Sequence, residues 1–240
     1  MSQRERELQS LEELKQAEIA HVVTHGLNPD VPMRDSGIPW LGQIPAHWKL
    51  KQLRSYLKLV SEKGHGDKQL LSVTREQGVI IRNVESKEEN HNYIPDDLSN
   101  YKLVKLGQFV VNKMKSWQGS YGVSDYEGIV SPAYYVCELN FPCKEFFSLA
   151  IRSKAYVPFF SQLSKGIRVD QWDLSPIALK SIYFAEPPIE EQKAIVDYIN
   201  AKTSKIDSLI ADLTAQIEKL KEYKQRLIAD VVTGQIDVRK

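Results

Sequence analysis

Cysteine is almost missing from these 240 residues: Cys137 and Cys143 are the only two. A disulfide framework and a cysteine-rich metal site are both excluded, and a reducing cytoplasm is the expected compartment. No stretch approaches the run of about 18 apolar residues that spans a bilayer, so a membrane is not among the expected partners. The opening MSQRERELQSLEEL is charged and lacks the apolar core of a signal peptide. Catalytic signatures are equally scarce. There is no glycine-rich phosphate loop, no glycine fingerprint opening a strand–helix unit and no Gly-x-Ser-x-Gly elbow. The five histidines show no metal-ligand spacing. Asp96-Asp97, after Pro95, reads as the start of a helix rather than as a metal pair.

What is present is the balance of a soluble globular protein, 42% hydrophobic and 26% charged. Net charge is only +1, but it is unevenly spread. Residues 1–37 hold 4 basic and 7 acidic side chains, residues 38–184 hold 19 and 14, and residues 185–240 hold 9 and 10. The excess of cations falls in the middle of the chain, most densely over 49–84, where a footprint on a polyanion would need it.

A second feature is an internal duplicate. Residues 8–27, LQSLEELKQAEIAHVVTHGL, align with residues 217–236, IEKLKEYKQRLIADVVTGQI, at an offset of 209. Nine of the twenty positions are identical: Leu11/Leu220, Glu13/Glu222, Lys15/Lys224, Gln16/Gln225, Ile19/Ile228, Ala20/Ala229, Val22/Val231, Val23/Val232 and Thr24/Thr233. A solenoid repeats every 20–50 residues or so, and this period is far longer. It fits one large unit, a helix plus a globular domain, present once in full and once as a preceding remnant.

The second copy ends a long helix. Pro187-Pro188 stops an extended segment, Glu190 and Glu191 sit where the helix dipole favours negative charge, and Gly234 is a natural stop. Between them apolar residues recur at spacings of three and four: Ile195, Ile199, Ile206, Ile210, Leu213, Ile217, Leu220, Leu227 and Val231. A helix over 188–233 is about 69 Å long, and such a stripe needs a partner, as in a coiled coil. The first copy is half that length, so it covers part of the stripe and a second chain is expected for the rest. Four domains are expected: the helix remnant over 1–27, a Pro/Gly-rich linker over 28–49 pinned by Trp40 and Trp48, a mixed α/β body over 50–186, and the long helix and tail over 187–240.

In the body, Leu50–Val60 has helical spacing, and Gln69–Val73, Gly78–Arg82, Gly107–Asn112 and Ile129–Leu139 read as strands. Phe146–Leu163 is helical but broken at Pro158, and Leu179–Phe184 returns to strand. Asn112–Ser131 joins two strands and carries Lys113, Lys115, Trp117, Ser120 and Tyr121 between glycines. Such a loop can neutralise phosphates, donate to base edges and stack on a base. Ser164–Trp172 is a second polar loop, with Lys165 and Arg168. Ser72, Thr74 and Arg75 follow a strand and have base-reading capacity. The residues alone also accommodate an enzyme acting by itself on DNA, or a structural adaptor whose helix mediates assembly.

Three stretches, DSGIPWLGQIPAHW (35–48), GIVSPAY (128–134) and PPIEEQKAI (187–195), together with the ending KQRLIADVVTGQIDVR, resemble the specificity subunit of type I restriction–modification systems. The resemblance covers nearly the whole chain. It implies an α+β target recognition domain followed by a long helix in an antiparallel coiled coil that acts as a ruler. It implies double-stranded DNA as ligand, with methylation (M) subunits and a restriction (R) translocase-nuclease subunit as partners. It implies no catalysis and no cofactor on this chain, with S-adenosylmethionine, ATP and Mg²⁺ carried by the partners. Such a subunit usually has two recognition domains, and this chain departs in having one. As a half-subunit, two copies would pair through Ile206, Ile210, Leu213, Ile217, Leu220, Leu227 and Val231 to read a two-fold split site; as a piece of a longer chain, it would be one reading head with an orphaned helix.

Overall fold

The computed structural model describes residues 3–83, 94–95, 97–166 and 172–233. They fall into two compact units, one formed by residues 19–196 and the other by residues 1–18 with 197–240.

In the larger unit, a linker hairpin pairs β1 (Met33–Asp35) with β2 (Gln43–Pro45), antiparallel. The heart of the unit is a four-stranded antiparallel sheet in the order β4 (Leu57–Val60), β11 (Tyr134–Leu139), β8 (Phe109–Asn112), β9 (Tyr121–Val123). Phe109, Val110 and Val111 of β8 are all fully buried. A strand covered on both faces takes a continuous β-branched and aromatic run rather than an alternating one. Three two-stranded ladders complete the unit's strands: β3 (Lys49–Gln52) with β12 (Tyr183–Glu186), β5 (Leu71–Thr74) with β6 (Gly78–Ile81), and β7 (Lys102–Val104) with β10 (Gly128–Val130). Helices α2 (Lys144–Ile151), α3 (Val157–Leu163) and α4 (Pro176–Ser181) supply Phe146, Phe147, Phe159, Phe160 and Leu179 to the core. Phe184 is its centre, with the rings of Tyr56, Phe141, Phe146, Phe147 and Tyr156 all within 6.4 Å, centroid to centroid.

Several expectations need correcting. Leu50–Val60 is not a helix but strand, one 3₁₀ turn (Leu53–Ser55) and strand. Its apolar spacing serves two strands whose pairing partners lie more than 70 residues away, and tertiary pairing overrides local period. Leu179–Ser181 closes α4, started by Ser175, whose Oγ accepts from the Ala178 N–H at 3.1 Å, so strand begins only at Tyr183. Pro132 splits Ile129–Leu139 into β10 and β11. Asp97 starts no helix; its carboxylate accepts from the Ser99 N–H at 2.9 Å in a turn, and Asp96 lies outside the described residues. Pro158 does separate two helices, sitting in the first turn of α3 where its missing donor costs nothing.

Trp48 is buried, and its indole N–H donates to Glu191 at 3.0 Å. The same carboxylate oxygen meets His47 Nε2 at 2.8 Å. Glu191 lies in the first turn of α5 (Ile189–Val232), so the linker is tied to the start of the long helix. Trp40 is only partly covered, edge-on to Phe159 at 5.4 Å.

The smaller unit pairs α1 (Gln3–His25), in its part up to Glu18, with α5 from Asp197 onward. The pairing is antiparallel: Glu18 accepts from the Tyr198 hydroxyl at 2.6 Å, Lys15 binds Asp207 at 2.8 Å, and Glu5 lies 3.8 Å from Lys221. Of the expected stripe, Ile206, Leu213 and Ile217 are buried and Ile210 and Val231 are half-buried, while Leu220 and Leu227 are exposed.

Candidate nucleic-acid interface

The sequence between β8 and β9 folds back tightly. Asn112 Oδ1 accepts from the Met114 and Lys115 N–H groups at 3.1 and 3.3 Å, and a 3₁₀ turn over Ser116–Gln118 ends at Gly119 with φ of 97°. That φ favours glycine. Residues 164–166 and 172–174 pack beside it. Ser116 Oγ lies 3.4 Å from Ser164 Oγ, the Leu174 N–H donates to Lys113 O at 3.0 Å, and Trp117 and Trp172 stack obliquely at 5.0 Å. Lys165 and Asp173 exchange backbone hydrogen bonds of 3.1 and 2.9 Å that close this second loop.

The turn between β5 and β6 joins the same neighbourhood. Arg152 donates to the carbonyls of Arg75 (3.3 Å), Glu76 (2.7 Å) and Tyr121 (3.2 Å), clamping the turn to β9. Gly78, at φ of 76°, holds the left-handed conformation that favours glycine, and the Arg152 guanidinium fills the space where a Cβ would stand. Arg75 runs past Gly119, its Cγ 4.0 Å from where a Cβ there would stand. Three segments far apart in sequence therefore meet, and Arg75, Lys115 and Lys165 are exposed on them. None of the three is in an ion pair with a described residue.

Not every expected residue faces outward. Ser120 is 3% and Tyr121 0% exposed, so neither lies on the surface where contact with DNA was expected. Tyr121 begins β9 and stacks on Phe160 at 3.8 Å, and burial pushes its hydroxyl pKa well up. The polar, glycine-rich composition of GSYGV hides a strand of only three residues. Thr74 turns its hydroxyl inward on its own hairpin, accepting from the Gln77 N–H at 3.1 Å. Trp117 is half-buried, with an indole N–H that has no partner among the described residues. Arg168 lies outside the described residues.

A cluster that spacing did not reveal adjoins Lys113. Lys102 on β7 donates to Pro132 O at 3.1 Å and Tyr134 O at 2.7 Å. Burial, then the positive charges of Lys113 and Lys63, push its pKa down. The Tyr134 hydroxyl faces the side chains of Ser72 and Asn112 and feels the charge of Arg82, while burial raises its pKa. Ser72 and Lys113 thus converge on a patch where cations repel one another. Elsewhere in the unit Lys58, Lys68 and Lys105 are neutralised by Glu138, Glu127 and Glu62 at 2.8–2.9 Å. Unpaired ammonium groups beside hydroxyl and amide side chains are suited to phosphate and base-edge contacts. Among the described residues no group of three metal-ligating side chains occurs, and no helix is long and apolar enough to cross a membrane.

No protein-family model matches the chain. By sequence it is 24% identical over 210 residues to the protein described as the type I restriction enzyme MjaX specificity subunit of Methanocaldococcus jannaschii, a match covering 80% of this chain and 47% of that protein. The chain therefore spans about half the length of the curated relative it matches. Its fold is that of solved specificity subunits. A chain of a type I R-M system superposes with a TM-score of 0.60 at 14% identity, covering 95% of this chain and 53% of the other. The HsdS subunit of Thermoanaerobacter tengcongensis does so with a TM-score of 0.53 at 14% identity, covering 97% and 53%.

Proposed function

We propose that this chain is a DNA-recognition unit of a type I restriction–modification complex, selecting sequence without breaking bonds. The observation that carries the reading is the convergence of Arg75, Lys113, Lys115 and Lys165, cations unpaired with any described acid, on one fold shared with specificity subunits. In this reading the body reads one half of a split target in double-stranded DNA. The long helix sets half-site spacing and docks methylation subunits, and a restriction subunit joins the same complex. S-adenosylmethionine, ATP and Mg²⁺ belong to those partners. Two recognition units pair through their helices, because a two-fold reader needs two heads.

The test is selection of bound sequences from a random duplex library by this chain with its methylation subunits. One recurrent half-site, paired at fixed spacing, is expected; no enrichment over the unselected pool sinks the reading. Lys113→Ala and Lys115→Ala should each weaken binding and lower the salt slope by about one unit per lost phosphate contact. A slope unchanged in both would remove this loop from the backbone footprint.

A further inference from the structure

The two copies of the repeated segment meet different fates, and the difference points to a second copy of this chain. The first copy opens on the part of α1, up to Glu18, that is seated on α5 over residues 198–221, held by Glu18 with Tyr198, Lys15 with Asp207 and Glu5 with Lys221. From Leu220 on, the second copy carries the same apolar pattern with no described residue of the chain seated on it, and Leu220, Leu227 and Ile228 stand exposed. Leu11 and Ile19 are half-buried, whereas their counterparts Leu220 and Ile228 are 55% and 53% exposed. Tyr223, Leu227 and Val232 lengthen that open face.

A segment that repeats Leu11, Lys15 and Ile19 of α1 carries that part of its contact face and fits the same seat. We propose that residues 217–232 of one copy bind the 198–216 surface of a second copy, in the place that α1 occupies within its own chain. The proposal rests on the two-copy pairing above and specifies its register. Shifted by the repeat offset, the Lys15–Asp207 pair becomes Lys224 of one copy with Asp207 of the other. Because the pairing is antiparallel, the same contact then recurs on the opposite side of a two-fold axis, which passes near residues 215–216. Each copy therefore supplies both lysine and aspartate, and a closed dimer follows.

The exchange has a built-in competitor. Glu18, which binds Tyr198 and lies 4.0 Å from Lys202, aligns with Leu227, which has no acceptor to offer. The seat within one chain is thus favoured by a contact that the seat between chains lacks. Dimerisation displaces α1, and α1 sets the concentration at which it occurs.

Full-length Asp207→Cys and Lys224→Cys chains, differently tagged, are mixed and treated with a short bismaleimide, with the parent chain as control for its own two thiols. A covalent heterodimer is expected, and none from Asp207→Cys with Arg226→Cys, whose thiol lies on the opposite face of the helix. Sedimentation velocity is run alongside. A dimer without the 207–224 link overturns this register while leaving pairing intact; a monomer throughout overturns both. Glu18→Ala should tighten dimerisation about threefold for each displaced helix, so about tenfold per dimer. Unchanged or weaker association means that α1 stays seated and the second helix uses the groove lined by Leu11, Leu14, Leu209 and Leu213, which overturns the exchange.

Discussion

Val23 and Val232 hold the same place in a repeated segment, yet Val23 is 0% exposed and Val232 79%. Both lie in helix, so the shared pattern specifies the same local structure twice. What it does not specify is company. The first copy lies against other parts of its own chain, while the second ends in a stripe that no described residue opposes. Amphipathic period is a request for a partner, and most helical stability comes from the partner rather than from propensity.

The sharpest way to break the comparison is a charge at both positions. Val23→Asp should cost more than about 4 kcal/mol, because it buries an unpaired carboxylate, and Val232→Asp less than about 0.5 kcal/mol. Urea unfolding followed by circular dichroism reads both, and equal losses would mean that the two valines share an environment. A gentler version uses leucine. Leu213→Ala, in the covered stretch, should lose about 2–3 kcal/mol, and Leu220→Ala a few tenths in dilute monomer. If Leu220→Ala instead loses as much, and does so increasingly with protein concentration, the open stripe is already occupied by a second copy. The smallest effect belongs to the charges. Lys15→Ala should loosen α1 by roughly 0.2–1 kcal/mol and tighten dimerisation, whereas Lys224→Ala should leave α1 seated and weaken the dimer. Opposite signs in the same sedimentation assay are the expected result.

The long helix was legible because its period recurs along 44 residues, and α1 because it duplicates the end of that helix. Trp48 and Glu191 were legible too, as a linker anchor and as a first-turn acid. The body was read less well. Many of its strands are three or four residues long, too short for a period of two to declare itself. Tyr121 and Ser120 were misplaced for that reason: a loop composition concealed β9. Lys102 and Tyr134 were missed because no spacing links them. They meet only when β7 pairs with β10 and β11 lies beside β8.

The carboxylate of Glu191, shared by His47 and Trp48, fixes more than the linker. A helix advances about 100° per residue, so the azimuth of every side chain downstream is counted from that pinned first turn. Inserting one residue between Glu191 and Ile195 would rotate Ile195 by about 100° out of the core it fills, while seven would return that face to within about 20°. Length changes in this helix are therefore quantised. The helix can be lengthened by seven, eleven or eighteen residues and keep its buried face, whereas increments such as one, two or five turn the same residues toward solvent.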